Sequence, residues 1–138
     1  MMKILIPADG SEASNRAVQY LIKLAGIAKG PLDIHLLNVQ HALPGTVGEG
    51  AQAKQYHHDE GVKALSAARK LLDDAAIKYS YHISVGEIGE VAAHFVNELK
   101  CDQVVMGTRG MGAVANMVMG SAATKVLNLV KVPVLLVK

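Results

Sequence analysis

Alternating apolar runs and amphipathic stretches along the chain predict five strands separated by four helices. A continuous apolar run is typical of a strand covered on both faces, whereas apolar residues at three- and four-residue spacing indicate a helix. In the longest helical stretch, for example, Val62, Leu65, Ala68, Leu72, Ala75 and Ala76 form the apolar face. The predicted strands are Lys3–Ala8, Ile34–Val39, Tyr81–Val85, Asp102–Met106 and Val132–Val137. The predicted helices run from Ser11 to near Gly30, over 53–79, from Glu87 to Lys100 and from Ser121 to Val130.

This strict alternation of strand and helix predicts an α/β fold, a doubly wound parallel sheet with helices on both faces. No low-complexity linker divides the sequence, so residues 1–138 are expected to form one domain. Open sheets of this kind bind ligands at the carboxyl ends of their strands. The loops Pro7–Ser11, Val39–Gly50 and Gly107–Ser121 are therefore the candidate ligand-binding segments.

Composition excludes several classes of function. Of 138 residues, 51% are hydrophobic, which argues against disorder, and the net charge of +2 is too small for a typical nucleic-acid binder. No apolar run reaches the roughly 18–20 residues that a membrane span needs, and the N-terminal run is too short for a signal peptide. With one cysteine, Cys101, there is no disulfide framework. We expect a cytoplasmic protein that binds neither nucleic acid nor membrane.

The segment after the fourth predicted strand carries the clearest candidate chemistry. Gly107 and Gly110 remove side chains where backbone N–H groups could approach an anion, and Gly120-Ser121 opens a helix whose N-terminus favours phosphate. The alternative is a turn eased by glycine followed by an ordinary N-cap at Ser121. These physical arguments by themselves favour neither interpretation.

The spacing of these residues, Gly-x2-Gly-x9-Gly-Ser, resembles the nucleotide-binding motif of the universal stress protein family. Along the whole chain the resemblance extends to Pro-Ala-Asp-Gly-Ser-Glu, Leu-Leu-Asn-Val-Gln, Val-Gly-Glu, Asp-Gln-Val-Val-Met-Gly-Thr-Arg-Gly and Val-Pro-Val-Leu-Leu-Val. The resemblance implies a Rossmann-like five-stranded sheet of order 3-2-1-4-5. It also implies ATP, with or without Mg²⁺, or another adenine nucleotide as ligand.

The resemblance further implies which residues bind the nucleotide. The ribose and phosphates would be held by Gly107, Thr108, Gly110, Gly120 and Ser121, with Arg109 and Met111 bordering that loop and Ala122 and Ala123 at the helix start. The nucleoside would contact Pro7, Ala8, Asp9, Val39 and Met106. Many ATP-binding members have a small hydroxyl or basic residue where this chain has Met111, so a side-chain phosphate contact is lost there.

Asp9 and Arg109 have alternative interpretations within this implied site. Asp9 could orient a ribose hydroxyl or a phosphate-bound Mg²⁺, or it could only form the turn beside Gly10. Arg109 could clamp a phosphate or be a solvated loop charge.

Other candidate groups are better explained without a ligand. His57, His58 and Asp59 look like a metal cluster, but adjacent helical residues do not share a face, and we expect a solvated helix start. His35, His41, His82 and His94 are scattered singly and are expected to be structural.

The sulfur-containing residues are also expected to be structural. Met106, Met111, Met117 and Met119 are expected to fill gaps, a Met-lined partner surface being the alternative. Cys101 lacks a visible base or resolving thiol and is expected to be inert.

Three classes of function remain: a regulatory nucleotide-binding module, a slow ATP-hydrolysing or adenylyl-handling enzyme, and a dimer that binds no nucleotide. No nucleophile–base pair and no P-loop can be assembled, so we assign no catalytic residue and favour the first class. The resembled family dimerises through its last strand, and Val132–Val137 would be an apolar sheet edge. We therefore expect a homodimer that regulates an unidentified protein partner in the stress response.

Overall fold

The computed structural model describes residues 1–42, 50–109 and 119–138. Their strands are β1 (Met2–Pro7), β2 (Leu32–Gln40), β3 (Tyr79–Val85), β4 (Gln103–Gly107) and β5 (Val134–Val137). Their helices are α1 (Glu12–Ile27), α2 (Ala51–Asp74), α3 (Ile88–Leu99) and α4 (Ser121–Leu129). In these ranges no helix combines the length and the apolar character needed to cross a membrane.

The five strands form one parallel sheet of order β3-β2-β1-β4-β5, which confirms the predicted fold. Successive side chains of a strand point to opposite faces, so the sheet has two apolar layers. Ile4 and Ile6 of β1 pack in the layer under α1 and α2, and Leu5 packs in the layer under α3 and α4. Burial on both faces explains why the central strands are continuous apolar runs.

The predicted helix over 53–79 is wrong at its C-terminal end. The helix stops at Asp74, Ala76 adopts a left-handed backbone with φ of 57°, and β3 already begins at Tyr79. Ala75 and Ala76 continue the apolar spacing but are exposed. Alanine is common on helix surfaces as well as in cores, so the periodicity did not reveal the end of the helix.

Two further expectations need correction. The last strand begins at Val134, not Val132, because Pro133 lies outside it and contributes only its carbonyl, which accepts from Val104 N at 2.9 Å.

His57 is only 4% exposed, so the expected solvated helix start is wrong at this residue, although His58 and Asp59 are exposed. The described part of the chain holds no cluster of three or more potential metal ligands.

His35 and His82 are not isolated, contrary to the expectation. They lie on adjacent strands, with His35 Nδ1 3.0 Å from His82 Nε2 and the two rings stacked 5.2 Å apart. His35 Nε2 is 3.1 Å from a carboxylate oxygen of Asp33. The pair packs beneath α3, where the His82 ring lies 5.1 Å from the ring of Phe95.

Candidate functional site

A cleft opens where the carboxyl ends of β1, β2 and β4 meet the first turns of α3 and α4. From β1 the chain crosses to β2 on one side, while β4 lies on the other side of β1. This is the point at which the strand order reverses, and open α/β sheets bind their ligands there. The cleft thus lies at the edge that the strand pattern predicted.

Ten of the expected site residues line this cleft, although they come from four separate segments of the chain. They are Pro7, Ala8, Asp9, Val39, Met106, Gly107, Arg109, Ser121, Ala122 and Ala123. Their common position follows from the parallel sheet, which brings all strand ends to one edge. Gly110 and Met111 lie outside the described residues.

Thr108 and Gly120 lie beside the cleft and connect its parts. Thr108 N donates to the carbonyl of Val137 at 3.0 Å, which joins the ends of β4 and β5. Gly120 N donates to the carbonyl of Thr108, which ties the start of α4 to the end of β4. The two ends of the segment Gly107–Ser121 are therefore held together by the backbone hydrogen bond between Gly120 and Thr108.

The start of α4 supplies hydrogen-bond donors to the cleft. Gly120 is the N-cap residue, not Ser121 as the ordinary-cap interpretation assumed, and glycine has no side chain that could cap the helix. The backbone N–H groups of Ser121, Ala122 and Ala123 have no acceptor within the helix, because the first turn lacks a preceding one. These three residues line the cleft. Uncapped donors at the positive end of a helix dipole favour an anion.

Gly107 is required for packing as well as for access to the cleft. A Cβ atom at this position would lie 2.7 Å from the carbonyl carbon and oxygen of Ala13 and 2.9 Å from its Cβ. From the sequence we expect the missing side chain to let an anion approach the backbone. In the structure it allows α1 to approach β4.

One wall of the cleft is apolar and continuous with the core. Val39, Ile88, Met106 and Ala122 line it and also belong to the layer under α3 and α4. A flat apolar group can be buried against this wall, while the start of α4 lies at its border. The cleft therefore combines an apolar surface with an anion-favouring helix terminus, a combination that suits ligands with a planar ring and a charged tail.

An ion pair lies at the rim between α3 and α4. Lys125 Nζ is 2.7 Å from Glu87 Oε1, and this contact lowers the pKa of the Glu87 carboxyl. Glu87 is the N-cap residue of α3, but its side chain does not cap that helix. Gly89 leaves room for the crossing, since a Cβ there would be 3.0 Å from the carbonyl of Lys125. The pair thus joins the two helices that border the apolar wall.

Sequence reasoning missed six residues that also line the cleft: Ser14, Leu37, Asn38, His41, Ile88 and Lys125. Lys125 was detectable, because it lies one helical turn beyond Ser121 on the same face. Asn38 was visible as a polar residue inside an apolar strand. The others carry no local pattern that separates them from ordinary core or loop residues.

The sheet order and the position of the cleft define a Rossmann-like α/β protein. The model of the "Universal stress protein family" matches residues 1–138. The chain is 33% identical to the "Universal stress protein in QAH/OAS sulfhydrylase 3'region" of Thermus aquaticus, covering 98% of this chain and 97% of the relative. It is 29% identical to universal stress protein MJ0531 of Methanocaldococcus jannaschii, covering 99% and 81%. This chain therefore belongs to the universal stress protein family.

Solved structures share the fold over nearly the full chain. Protein MJ0577 superimposes with a TM-score of 0.82 at 24% identity, covering 99% of this chain and 95% of that one. A universal stress protein in complex with cAMP gives 0.73 at 22% identity, covering 99% and 97%. The Archaeoglobus fulgidus universal stress protein in complex with dAMP gives 0.73 at 20% identity, covering 100% and 98%.

Proposed function

We propose that residues 1–138 work as one regulatory domain that binds an adenine nucleotide in this cleft, with ATP as the expected ligand. The start of α4 receives the phosphates, and the base packs against Val39, Ile88 and Met106. The observation that carries the proposal is the meeting of an uncapped helix N-terminus with an apolar wall at the switch point of the sheet. The structures solved with cAMP and dAMP support an adenine nucleotide.

The remaining site residues take roles that follow from their positions. Asp9, at the end of β1, faces the ribose, and Arg109, after β4, faces the phosphates. Mg²⁺, where it accompanies ATP, would be held by the phosphates and Asp9, since carboxylate and phosphate oxygens suit this cation. Gly110 and Met111 keep their proposed place in the phosphate loop.

A regulatory role is favoured over catalysis because the described cleft offers donors and an apolar wall but no nucleophile paired with a base. Asp9 is the carboxylate among its lining residues, and the charge of Lys125 is already engaged by Glu87. Such a site holds a nucleotide without activating a water molecule. Binding would then change the surface offered to a protein partner in the stress response. A cytoplasmic location stays a prediction.

A homodimer through β5 is part of the proposal. β5 is an edge strand of the sheet, and Val134 to Val137 are all half-buried apolar residues. Val104 and Thr108 donate to the carbonyls of Pro133 and Val137, so the backbone groups of Val134 and Leu136 face outward by alternation. An unpaired apolar edge of this kind pairs readily with a second strand.

The test of nucleotide binding is a glutamate placed in the first turn of α4. Ser121→Glu puts a carboxylate where the phosphates are proposed to lie, while an acid in a first turn favours the helix itself. We expect the affinity for ATP, measured by calorimetry, to fall about tenfold or more, without loss of thermal stability.

The matched control is Ala51→Glu, because Ala51 is also an exposed first residue of a helix with a glycine N-cap, in α2. It should bind ATP as the wild type does. Equal ATP affinity in wild type and Ser121→Glu, or no binding of ATP, ADP, AMP or cAMP by the wild type, would refute the proposal.

A further inference from the structure

Asn38 is a buried polar residue within the wall of the cleft, and both ends of its amide are engaged. It is 3% exposed. Its Nδ2 donates to the carbonyl of Ala8 at 2.8 Å, and its Oδ1 accepts from Gln40 Nε2 at 2.6 Å. A carbonyl can only accept, so the amide nitrogen must face Ala8. Gln40 then holds the amide in this orientation by donating to its oxygen.

The hydrogen bond from Asn38 begins where the strand ladder between β1 and β2 ends. Their pairing runs to Pro7 and Leu37, and the last backbone bond is from Ala8 N to Leu37 O at 2.8 Å. The side chain of Asn38 therefore extends the hydrogen bonding between β2 and β1 by one peptide group, to the carbonyl of Ala8.

That peptide group is the one that leads into Asp9. The carbonyl of Ala8 and the N–H of Asp9 belong to one planar unit, so fixing the oxygen fixes the direction in which the chain enters Asp9. On the other side, Asp9 Oδ1 accepts from Ser11 N at 2.9 Å, and Gly10 has a positive φ of 86°. Asp9 is thus held between an amide of the neighbouring strand and a tight turn.

We infer that Asn38 is a positioning residue for ribose recognition, because it sets the Ala8–Asp9 peptide from which Asp9 meets the ribose hydroxyls. This inference rests on the proposed function. A carboxylate that accepts from vicinal hydroxyls needs both of them, so the site should prefer a ribonucleotide over its 2′-deoxy form. Asn38 makes this preference possible without touching the sugar itself.

The experiment compares AMP with 2′-deoxy-AMP by calorimetry in the wild type, Asn38→Asp and Asn38→Leu. For the wild type we expect AMP to bind about tenfold more tightly, which is the contribution of one ordinary hydrogen bond. Asn38→Asp replaces the donor that faces Ala8 with an oxygen, and Asn38→Leu removes it. In both variants the ratio of the two dissociation constants should fall towards one, with 2′-deoxy-AMP binding unchanged.

Two further variants keep the test decisive. Asn97→Asp, on the exposed surface of α3, is the matched control and should keep the wild-type ratio. Gln40→Leu removes the group that orients the Asn38 amide and should lower the ratio even where the Asn38 variants do not fold.

The outcomes separate the two proposals. An unchanged ratio in folded Asn38 variants and in Gln40→Leu overturns the inference, as does an equal loss of affinity for both nucleotides, which is the mark of a merely structural role. A wild type that binds both nucleotides equally well also overturns it. A wild type that binds neither refutes the proposed function itself.

Discussion

At the scale of single residues, the site depends on a close approach of two backbones at Gly107. β4 and α1 come so near that a Cβ atom would contact the main chain of Ala13, which cannot rotate away as a side chain could. The glycine thus stabilises the packing that holds the start of α1 beside the cleft. A motif residue interpreted from sequence as a phosphate contact has a second, structural reason to be glycine.

Gly107→Ala should therefore destabilise the fold. We expect a loss of about 1–3 kcal/mol in the free energy of unfolding, typical of overpacking, measured by urea denaturation. Gly26→Ala is the control, since a Cβ at Gly26 in α1 meets nothing within 4 Å. It should raise stability by about 0.5–1 kcal/mol, because alanine favours a helix over glycine. A Gly107→Ala protein as stable as the wild type would contradict the close approach.

At the scale of elements, β2 and β3 are joined beneath α3 by a histidine pair as well as by their backbones. Burial lowers the pKa of His82, and the nearby His35 lowers it further. Asp33 of β2 faces the pair from one side, while Phe95 of α3 forms its other boundary. The strand that this pair secures leads directly to Gly86 and Glu87 at the rim of the cleft.

This pair should make stability depend on pH. The folded pKa of His82 lies below its ordinary value of 6.5, so the unfolded chain binds the proton more readily. The free energy of unfolding should therefore fall as pH decreases through 6.5, and it should be constant with respect to this group well above 6.5. His82→Gln keeps a hydrogen-bonding side chain without a titrating ring, and should flatten this dependence between about pH 7.5 and pH 5.5.

The measurement is urea denaturation at several pH values. His94→Gln is the control, because His94 is an exposed histidine on the neighbouring helix and should leave the slope as in the wild type. If the wild type and His82→Gln have the same slope, His82 does not carry the dependence.

At the scale of the whole molecule, the two edges of the sheet differ in character. β3 at one edge is largely polar and alternating, whereas β5 at the other is four apolar residues, each half-buried. The contrast favours association through β5.

If the protein is a dimer, we expect light scattering at micromolar concentration to give a molecular mass of twice 14.6 kDa. Leu136→Pro removes an outward N–H of β5 but no hydrogen bond to β4, and should shift the protein to the mass of one chain. Ile27→Ser, which trims an exposed apolar side chain on α1, should remain dimeric. A wild type with the mass of one chain would refute the dimer.

The order of elements and the parallel sheet follow from local periodicity, because burial on two faces imposes its pattern on neighbouring positions. Ten residues of the cleft follow from the resemblance to the universal stress protein family. The periodicity predicts the end of α2 wrongly, because exposed alanines continue the apolar spacing there, and the sequence does not reveal that His57 is buried.

Which polar groups contact one another depends on the tertiary fold. Asn38 and Ala8 are 30 residues apart, and His35 and His82 are 47 apart. Lys125 of α4 and Glu87, which immediately precedes α3, are likewise distant in the sequence. Such partners are set by strand register and by the crossing of α3 and α4 at Gly89, and no local pattern carries that information. The chemistry of the cleft wall therefore depends on contacts that form only when the strands have paired and the helices have packed on the sheet.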